Sequence, residues 1–109
     1  LFDLVDILLV NEIESQQLLE ISSDNFKEQA KKLSRLVSKT IITLGDKGIV
    51  FCEKNKKPNY LKAHSVKVKS AHGAGDHFAG KFVSNFIRTN NFEDSIEIAN
   101  KKTSEFISS

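Results

Sequence analysis

The spacing of apolar residues in the first half of the chain predicts alternating strands and helices. Leu4–Val10 is almost continuously apolar, broken only by Asp6, as is typical of a strand covered on both faces of a sheet. Glu12–Ile21 follows as a short predicted helix, and Thr40–Leu44 is a mostly β-branched run that predicts the next strand. Between them, a second helix is indicated by apolar residues three or four positions apart, at Phe26, Ala30, Leu33, Leu36 and Val37. This order predicts a right-handed βαβ unit.

A hairpin is predicted next. Gly45–Gly48 is a turn that joins the second strand to Ile49–Cys52, because glycines at both ends of such a loop allow the chain to reverse. Tyr60–Leu61 and Val66–Val68 are weaker strand candidates. Lys54–Lys57 lies between two strand-like runs beside a proline, so a solvated hairpin loop is favoured over a phosphate-binding patch.

Two helices are predicted after this region. The first follows Gly73–Asp76 and carries a broad apolar stripe that predicts burial on much of its circumference. The stripe consists of Phe78, Ala79, Phe82, Val83, Phe86 and Ile87. Asn90-Asn91 ends this helix, and a last helix begins at about Glu93. Its apolar side consists of Ile96, Ala99, Thr103, Phe106 and Ile107.

Length, charge and cysteine content exclude several classes of protein. The 109 residues begin at Leu1 and contain no Met, so we expect a fragment. A formal charge of +2, spread along the chain, argues against a nucleic-acid surface, and no apolar run reaches the ~20 residues of a membrane span. The single Cys52 lies in an apolar run and is predicted to be a small buried side chain. We therefore expect a soluble, cytoplasmic protein.

Gly73-Ala74-Gly75-Asp76 is the segment in which the sequence most clearly indicates chemistry. Residues without a bulky Cβ let the backbone turn tightly and approach a ligand. Because a helix starts here, unpaired N–H groups and the positive end of the helix dipole converge on one point, which suits an anion such as a transferring phosphoryl group. Taken alone, Asp76 is equally well explained as an acidic residue in a helix first turn.

His72-Gly73-Ala74-Gly75-Asp76-His77-Phe78-Ala79-Gly80 closely resembles the signature of the ribokinase-like, or PfkB-type, carbohydrate kinases. Asn11-Glu12-Ile13-Glu14 is similar to the Asn-x-x-Glu element of that family. Thr43–Gly48 is similar to its Thr-x-Gly-x-x-Gly turn, and Ala99-Asn100 to an Ala-Asn pair on the following helix. The resemblance covers essentially the whole chain.

The resemblance implies a three-layer α/β/α fold, of which residues 1–109 would form a partial, mostly parallel sheet with flanking helices and an antiparallel hairpin. It also implies ATP-dependent phosphoryl transfer to a hydroxyl group. Asp76 would act as the general base, and the amides of Gly73, Ala74 and Gly75 would form an anion hole. Asn11 and Glu14 would organise Mg²⁺, largely through water. Nucleotide contacts are implied for Thr43, Gly45, Gly48 and Asn100.

Each of these residues also has a purely structural interpretation. Asn11 is a plain helix N-cap, with Glu14 the acid that completes a capping box three residues later. The glycines near Thr43 can serve only to relieve strain in a hairpin, and Lys47 is better explained as an exposed turn lysine than as a phosphate ligand.

The sequence departs from the family pattern just before the signature. Ser70 and Ala71 stand where the family usually has Asp-Thr, and because that Asp helps to hold a monovalent cation, the departure counts against potassium activation. His72 and His77 flank the signature. His72 is open to a role in binding phosphate or substrate, or in packing, and neither histidine has partners spaced for a metal site.

The family's N-terminal substrate half and β lid are missing from this sequence, so the acceptor cannot be identified. A sugar is the leading hypothesis, with a nucleoside such as adenosine as the alternative, and we expect the fragment alone to be inactive. The oligomeric state of the full-length protein is left open, with a homodimer as one possibility. Two further hypotheses are a non-catalytic nucleotide-binding or interaction module and a flavodoxin-like domain. The Ser70-Ala71 departure is the only indication of the first, and Asp76 argues against it; the second would not explain Gly73–Asp76.

Overall fold

A computed structural model describes residues 7–63 and 74–108 of the chain. The predicted strand Val66–Val68 lies outside the described residues, as does the segment Ser70–Gly73 of the signature. Residues 1–62 and 63–109 form two compact parts, and each is described by itself.

The first part is a four-stranded sheet with helices that connect its first two strands. In chain order its elements are β1 (Ile7–Asn11), α1 (Glu12–Leu19), α2 (Phe26–Leu33), β2 (Lys39–Thr43), a 3₁₀ turn (Gly45–Lys47), β3 (Ile49–Glu53) and β4 (Asn59–Leu61). The strands lie in the order β1-β2-β3-β4, with β1 parallel to β2 and the other two pairs antiparallel. The α/β class and the predicted hairpin are therefore confirmed, and the described sheet is mixed.

Both faces of the central strands are buried. On the face toward α2, the register aligns Val10 with Ile42 and Ile42 with Val50, and these side chains pack with one helix. The core on this face consists of Val10, Ala30, Leu33, Ile42, Leu44, Val50 and Cys52. The side chains of Ile41, Ile49 and Phe51 point to the opposite face and are also buried. Removing apolar surface from water in this way stabilises a fold by ~25 cal/mol per Å² of surface buried.

The two helices of the crossover are shorter than their apolar spacing predicts. Helix α1 ends at Leu19, because Glu20 adopts a left-handed conformation with φ 54°. Helix α2 ends at Leu33, and Leu36, which was predicted to pack, is 74% exposed. Ile13 is 63% exposed, so it too does not join the core.

Leu19 at the end of α1 packs against the core, but much of the contact between α1 and α2 is polar. Ser15 is fully buried, and its hydroxyl donates to the side-chain oxygen of Gln29 at 2.6 Å. The Gln29 amide in turn donates to the backbone carbonyl of Ser23 at 2.7 Å. The side of α1 that faces α2 is therefore polar and fully paired, as buried polar groups need to be. Ile13 and Leu18 remain on the exposed side.

The second part is a pair of helices, α3 (Ala74–Thr89) and α4 (Phe92–Ser108), which pack through aromatic rings. Phe82 is buried and stacks with Phe78 and Phe86, while Phe92 meets it edge-on with ring centroids 5.9 Å apart. The predicted stripe is wider than the buried one, because Val83 is half exposed and Ile87 is 78% exposed. Within the described ranges, no helix is both long enough and apolar enough to cross a membrane.

Candidate active site

The residues matched to the Asn-x-x-Glu element and to the Thr-x-Gly turn lie at one edge of the sheet. Asn11 is the last residue of β1 and Thr43 is the last residue of β2, and the two are direct partners in the parallel pairing. The carboxyl ends of parallel strands are where ligands bind in open α/β sheets. The fold therefore brings these two elements together although 31 residues separate them in the sequence.

Asn11 and Glu14 form a complete capping box. The backbone N–H of Glu14 donates to Asn11 Oδ1 at 2.8 Å, and the backbone N–H of Asn11 donates to Glu14 Oε1 at 2.9 Å. This confirms the structural interpretation of the pair. Both residues are nevertheless exposed, and Glu14 Oε2 and the Asn11 amide group take no part in the box.

The turn after β2 depends on the backbone conformations of two glycines. Gly45 has φ 64° and Gly48 has φ 116°, conformations that residues with a Cβ rarely adopt. The N–H of Leu44 donates to the Gly48 carbonyl at 2.8 Å and closes the turn. A Cβ added at Gly45 would meet no atom within 4 Å, so the position needs glycine for its backbone conformation and has free space beside it.

Tyr60 fixes the far side of this turn. Its hydroxyl donates to the backbone carbonyl of Lys47, across the β3–β4 hairpin. The Thr43 hydroxyl lies 3.4 Å from the carbonyl of Val10, to which it donates across the parallel pair. The Lys47 side chain is exposed, as predicted for a turn lysine.

The signature residues within the described range form the start of α3. Ala74 is its first residue, and Asp76 lies in its first turn, as predicted. Both Gly75 and Asp76 are exposed, and a Cβ added at Gly75 would meet no atom within 4 Å. Asp76 forms no hydrogen bond or ion pair with another described residue, so its carboxylate is available to a ligand. Gly73 lies outside the described residues.

The residue after the proposed base contacts α4. The His77 ring stacks on Phe106 with centroids 4.3 Å apart, and its Nδ1 lies 3.4 Å from the Thr103 hydroxyl. Asn100, one turn earlier on α4, is buried, and its carbonyl accepts from the Ser104 hydroxyl at 3.0 Å. The sequence left the role of His77 open, and the structure shows it packed against α4. Thr103 and Phe106 lie 26 and 29 positions further along the chain, so the sequence alone did not identify these contacts.

The structure thus assembles two groups of candidate residues, each within its own part of the chain. One group is Asn11, Glu14, Thr43, Gly45 and Gly48 at the sheet edge, and the other is Ala74, Gly75, Asp76 and Asn100 on the helix pair. Among the described residues, no three His, Cys, Asp or Glu side chains cluster as a fully protein-ligated metal site requires.

The chain matches the family described as pfkB family carbohydrate kinase over residues 1–108. It belongs to that family. The match to the family confirms the resemblance that the signature and its accompanying motifs indicated.

Individual relatives agree with this assignment. The chain is 35% identical to a ribokinase from Staphylococcus aureus over 109 residues, which cover 95% of this chain and 36% of that protein. A ribokinase from Cryptococcus neoformans in complex with ADP has a TM-score of 0.80 at 28% identity, covering 95% of this chain and 38% of that one. An adenosine kinase from Anopheles gambiae has a TM-score of 0.84 at 21% identity, over 98% and 36% of the two chains. The chain therefore spans about a third of the length of these proteins, and the adenosine kinase likeness shows the fold alone.

The capping box predicts a measurable effect on stability. Replacing Asn11 by Ala removes the acceptor of the Glu14 N–H and should lower the free energy of unfolding by about 1 kcal/mol. Asn11→Asp keeps an oxygen at the same place and should change it by no more than a few tenths. Urea denaturation of the full-length protein measures both variants. Equal stability of the Ala and Asp variants would show that the box contributes nothing.

Proposed function

We propose that the full-length protein transfers the γ-phosphoryl group of ATP to a hydroxyl group of a sugar or sugar-like molecule. Support for a sugar comes from the ribokinase of Staphylococcus aureus, which is 35% identical to this chain. Support for a nucleotide comes from the ribokinase of Cryptococcus neoformans that was solved with ADP. The observation that carries the proposal is the exposed carboxylate of Asp76, which has no partner among the described residues, in the first turn of a 16-residue helix in a chain of this family.

Asp76 is assigned the role of general base. As the acceptor hydroxyl oxygen bonds to the γ-phosphorus, the bond from that phosphorus to the β–γ bridging oxygen breaks and ADP leaves. The hydroxyl proton passes to the Asp76 carboxylate. A base of this kind must reach the hydroxyl directly, which agrees with a carboxylate that no described residue occupies. Its position on a helix, which is more rigid than a loop, favours a constant geometry.

The first-turn amides of the same helix are assigned to the transferred phosphoryl group. N–H groups at a helix start have no intrahelical partner, and the positive end of the dipole favours anions there. Gly73, Ala74 and Gly75 would donate these hydrogen bonds. Because a Cβ at Gly75 would meet no protein atom, the glycine leaves room on the side from which a ligand would come.

Asn11 and Glu14 are assigned to a hydrated Mg²⁺ that would neutralise phosphate charge when bound. The capping box leaves Glu14 Oε2 free, and Asn11 Oδ1 keeps a second lone pair, so both oxygens can accept hydrogen bonds from metal-bound water. Thr43, Gly45 and Gly48 are assigned to the nucleotide, since their turn has open space beside Gly45. Asn100 is assigned to the region of the nucleotide base on family likeness alone.

The first prediction tests the reaction itself. Full-length protein, assayed for ADP formation with ATP and a panel of sugars and nucleosides, should consume ATP with at least one sugar. Faster turnover with a nucleoside than with any sugar would move the protein to the alternative acceptor class. No turnover with any acceptor, from protein that binds ATP, would support a non-catalytic nucleotide-binding module.

The second prediction tests the base. Asp76→Asn should lower kcat by about 10²- to 10⁴-fold, because the acceptor hydroxyl loses its proton acceptor, while the KM for ATP changes little. Asp94→Asn is the matched control, since Asp94 is likewise exposed in the first turn of a helix, where it complements the dipole to a similar extent. The control should retain full activity. Equal activity of the Asp76 and Asp94 variants would refute the assignment of the base.

The third prediction tests the metal assignment. Glu14→Gln keeps the capping box, because Gln can accept the same hydrogen bond, but removes the carboxylate charge. It should raise the Mg²⁺ concentration that gives half-maximal activity by about tenfold, as the loss of an outer-sphere ligand does. Glu12→Gln, two residues earlier in the same turn, should leave it unchanged. An unchanged Mg²⁺ requirement in the Glu14 variant would leave Glu14 as a helix cap only.

A further inference from the structure

A positively charged region lies in the first part of the chain, at the opposite end of the strands from Asn11 and Thr43. It is a cavity of about 290 Å³ between α2 and the β3–β4 hairpin. Its lining residues are Lys31, Arg35, Cys52, Glu53, Asn55, Lys56 and Lys57. The sequence favoured a plain hairpin loop for Lys54–Lys57, and the structure confirms the loop between β3 and β4. It adds that two cationic side chains from another element face the same space.

Hydrogen bonds fix the walls of this cavity. The buried hydroxyl of Ser34, at the end of α2, donates to the Cys52 carbonyl at 3.0 Å. The N–H of Lys54 donates to the Ser38 carbonyl at 2.7 Å, so the hairpin and the segment after α2 are joined twice. The Cys52 thiol, fully buried, lies 3.3 Å from the carbonyls of Glu53 and Lys56 and braces the loop from inside. The cavity is therefore a built feature of the fold.

The charges that line the cavity do not balance. Four cationic side chains face one carboxylate, and that carboxylate, Glu53, is paired with Lys56 at 3.2 Å. In the part of the chain that the structure describes, Lys31, Arg35 and Lys57 have no acidic side chain within 4 Å. Three unpaired cations thus share a concave surface, which concentrates positive potential more than a flat patch does.

The helix dipole accounts for only one of these cations. Lys31 lies in the last turn of α2, where a positive charge is stabilising by itself. Arg35 comes after the helix has ended, and Lys57 belongs to the hairpin, so neither is explained in this way. Lys32 also lies in the last turn of α2, but it does not line the cavity and pairs with Glu28 at 3.6 Å.

The cavity is at the opposite edge of the sheet from Asn11 and Thr43. Thr43 is the partner of Ile49 at one end of the β2–β3 pair, and Lys39 is the partner of Glu53 at the other end. With five residues in each strand and a rise of ~3.3 Å per residue, the two edges are about 13 Å apart. A ligand in the cavity would therefore lie apart from Asn11 and Thr43.

From the size, concavity and charge of the cavity, we infer that it binds a small phosphate-bearing anion. A volume of about 290 Å³ is at the lower end of small-ligand pockets and suits inorganic phosphate, pyrophosphate or a short organic phosphate. The Arg35 guanidinium can bind phosphate oxygens in a bidentate manner, with Lys31 and Lys57 as additional donors. This inference does not rest on the proposed kinase activity.

Titration of the full-length protein with orthophosphate, pyrophosphate and glycerol 3-phosphate tests the inference. The amide ¹H–¹⁵N signals of Asn55 and Lys57 report on the cavity, and the Gly45 signal reports separately on the other edge of the sheet. At least one of the three anions should shift the Asn55 and Lys57 signals in a saturable manner. Comparing the three probes distinguishes inorganic phosphate from organic phosphate as the ligand.

Two double variants with the same change in charge make the test specific. Lys31→Gln with Arg35→Gln removes two cavity cations and should weaken this binding by about tenfold or more, since charge-assisted hydrogen bonds are lost. Lys27→Gln with Lys32→Gln removes two charges from the same helix outside the cavity and should weaken it less than twofold. No saturable shift at Asn55 and Lys57 with any probe, or equal weakening in both double variants, would overturn the inference.

Discussion

The parallel pairing of β1 with β2 is the constraint on which the first part of the structure depends. Two parallel neighbours cannot be joined by a tight turn, so the chain needs a crossover, which α1 and α2 provide. The same pairing places Asn11 directly beside Thr43. Because Asn11 both ends the strand and caps the helix, no loop intervenes between the sheet and the candidate metal-binding residues. Their position is therefore as fixed as the strand itself.

Polar contacts hold the crossover to the sheet. The Ser15–Gln29 hydrogen bond joins α1 to α2, and the Ser34–Cys52 hydrogen bond joins the end of α2 to β3, both in buried surroundings. Leaving one partner of such a bond unpaired costs about 1–3 kcal/mol, so each bond specifies its neighbour more strongly than apolar contact alone. Helix α2 thereby supplies the sheet with apolar side chains from one face and the cavity with cations from another.

Periodicity and caps in the sequence were enough to predict the order of the described elements, whereas the candidate residues came from the family resemblance and their roles stay predictions. The Asn-x-x-Glu spacing predicted the capping box, and the glycines at 45 and 48 predicted the hairpin, because each depends on local geometry only. Helix ends were less predictable. Glu20 ends α1 in a left-handed conformation, although the residue is not glycine, which is the usual sequence signal for that conformation. Leu36 fits the helical spacing of apolar residues, but α2 has already ended at Leu33. The cavity was not predictable at all, since its walls come from segments about twenty residues apart.

The rigidity of the sheet bears on what an anion in the cavity could do. A ligand shifts an equilibrium between two conformations only if it binds one of them better. The cavity walls are fixed to β3 by the Ser34–Cys52 and Ser38–Lys54 hydrogen bonds, and β3 is paired with β2 along all five residues. An anion that binds only the folded protein stabilises it by RT ln(1 + [L]/Kd). Because these hydrogen bonds hold the cavity walls in the folded state, the expected effect of the inferred anion is on stability.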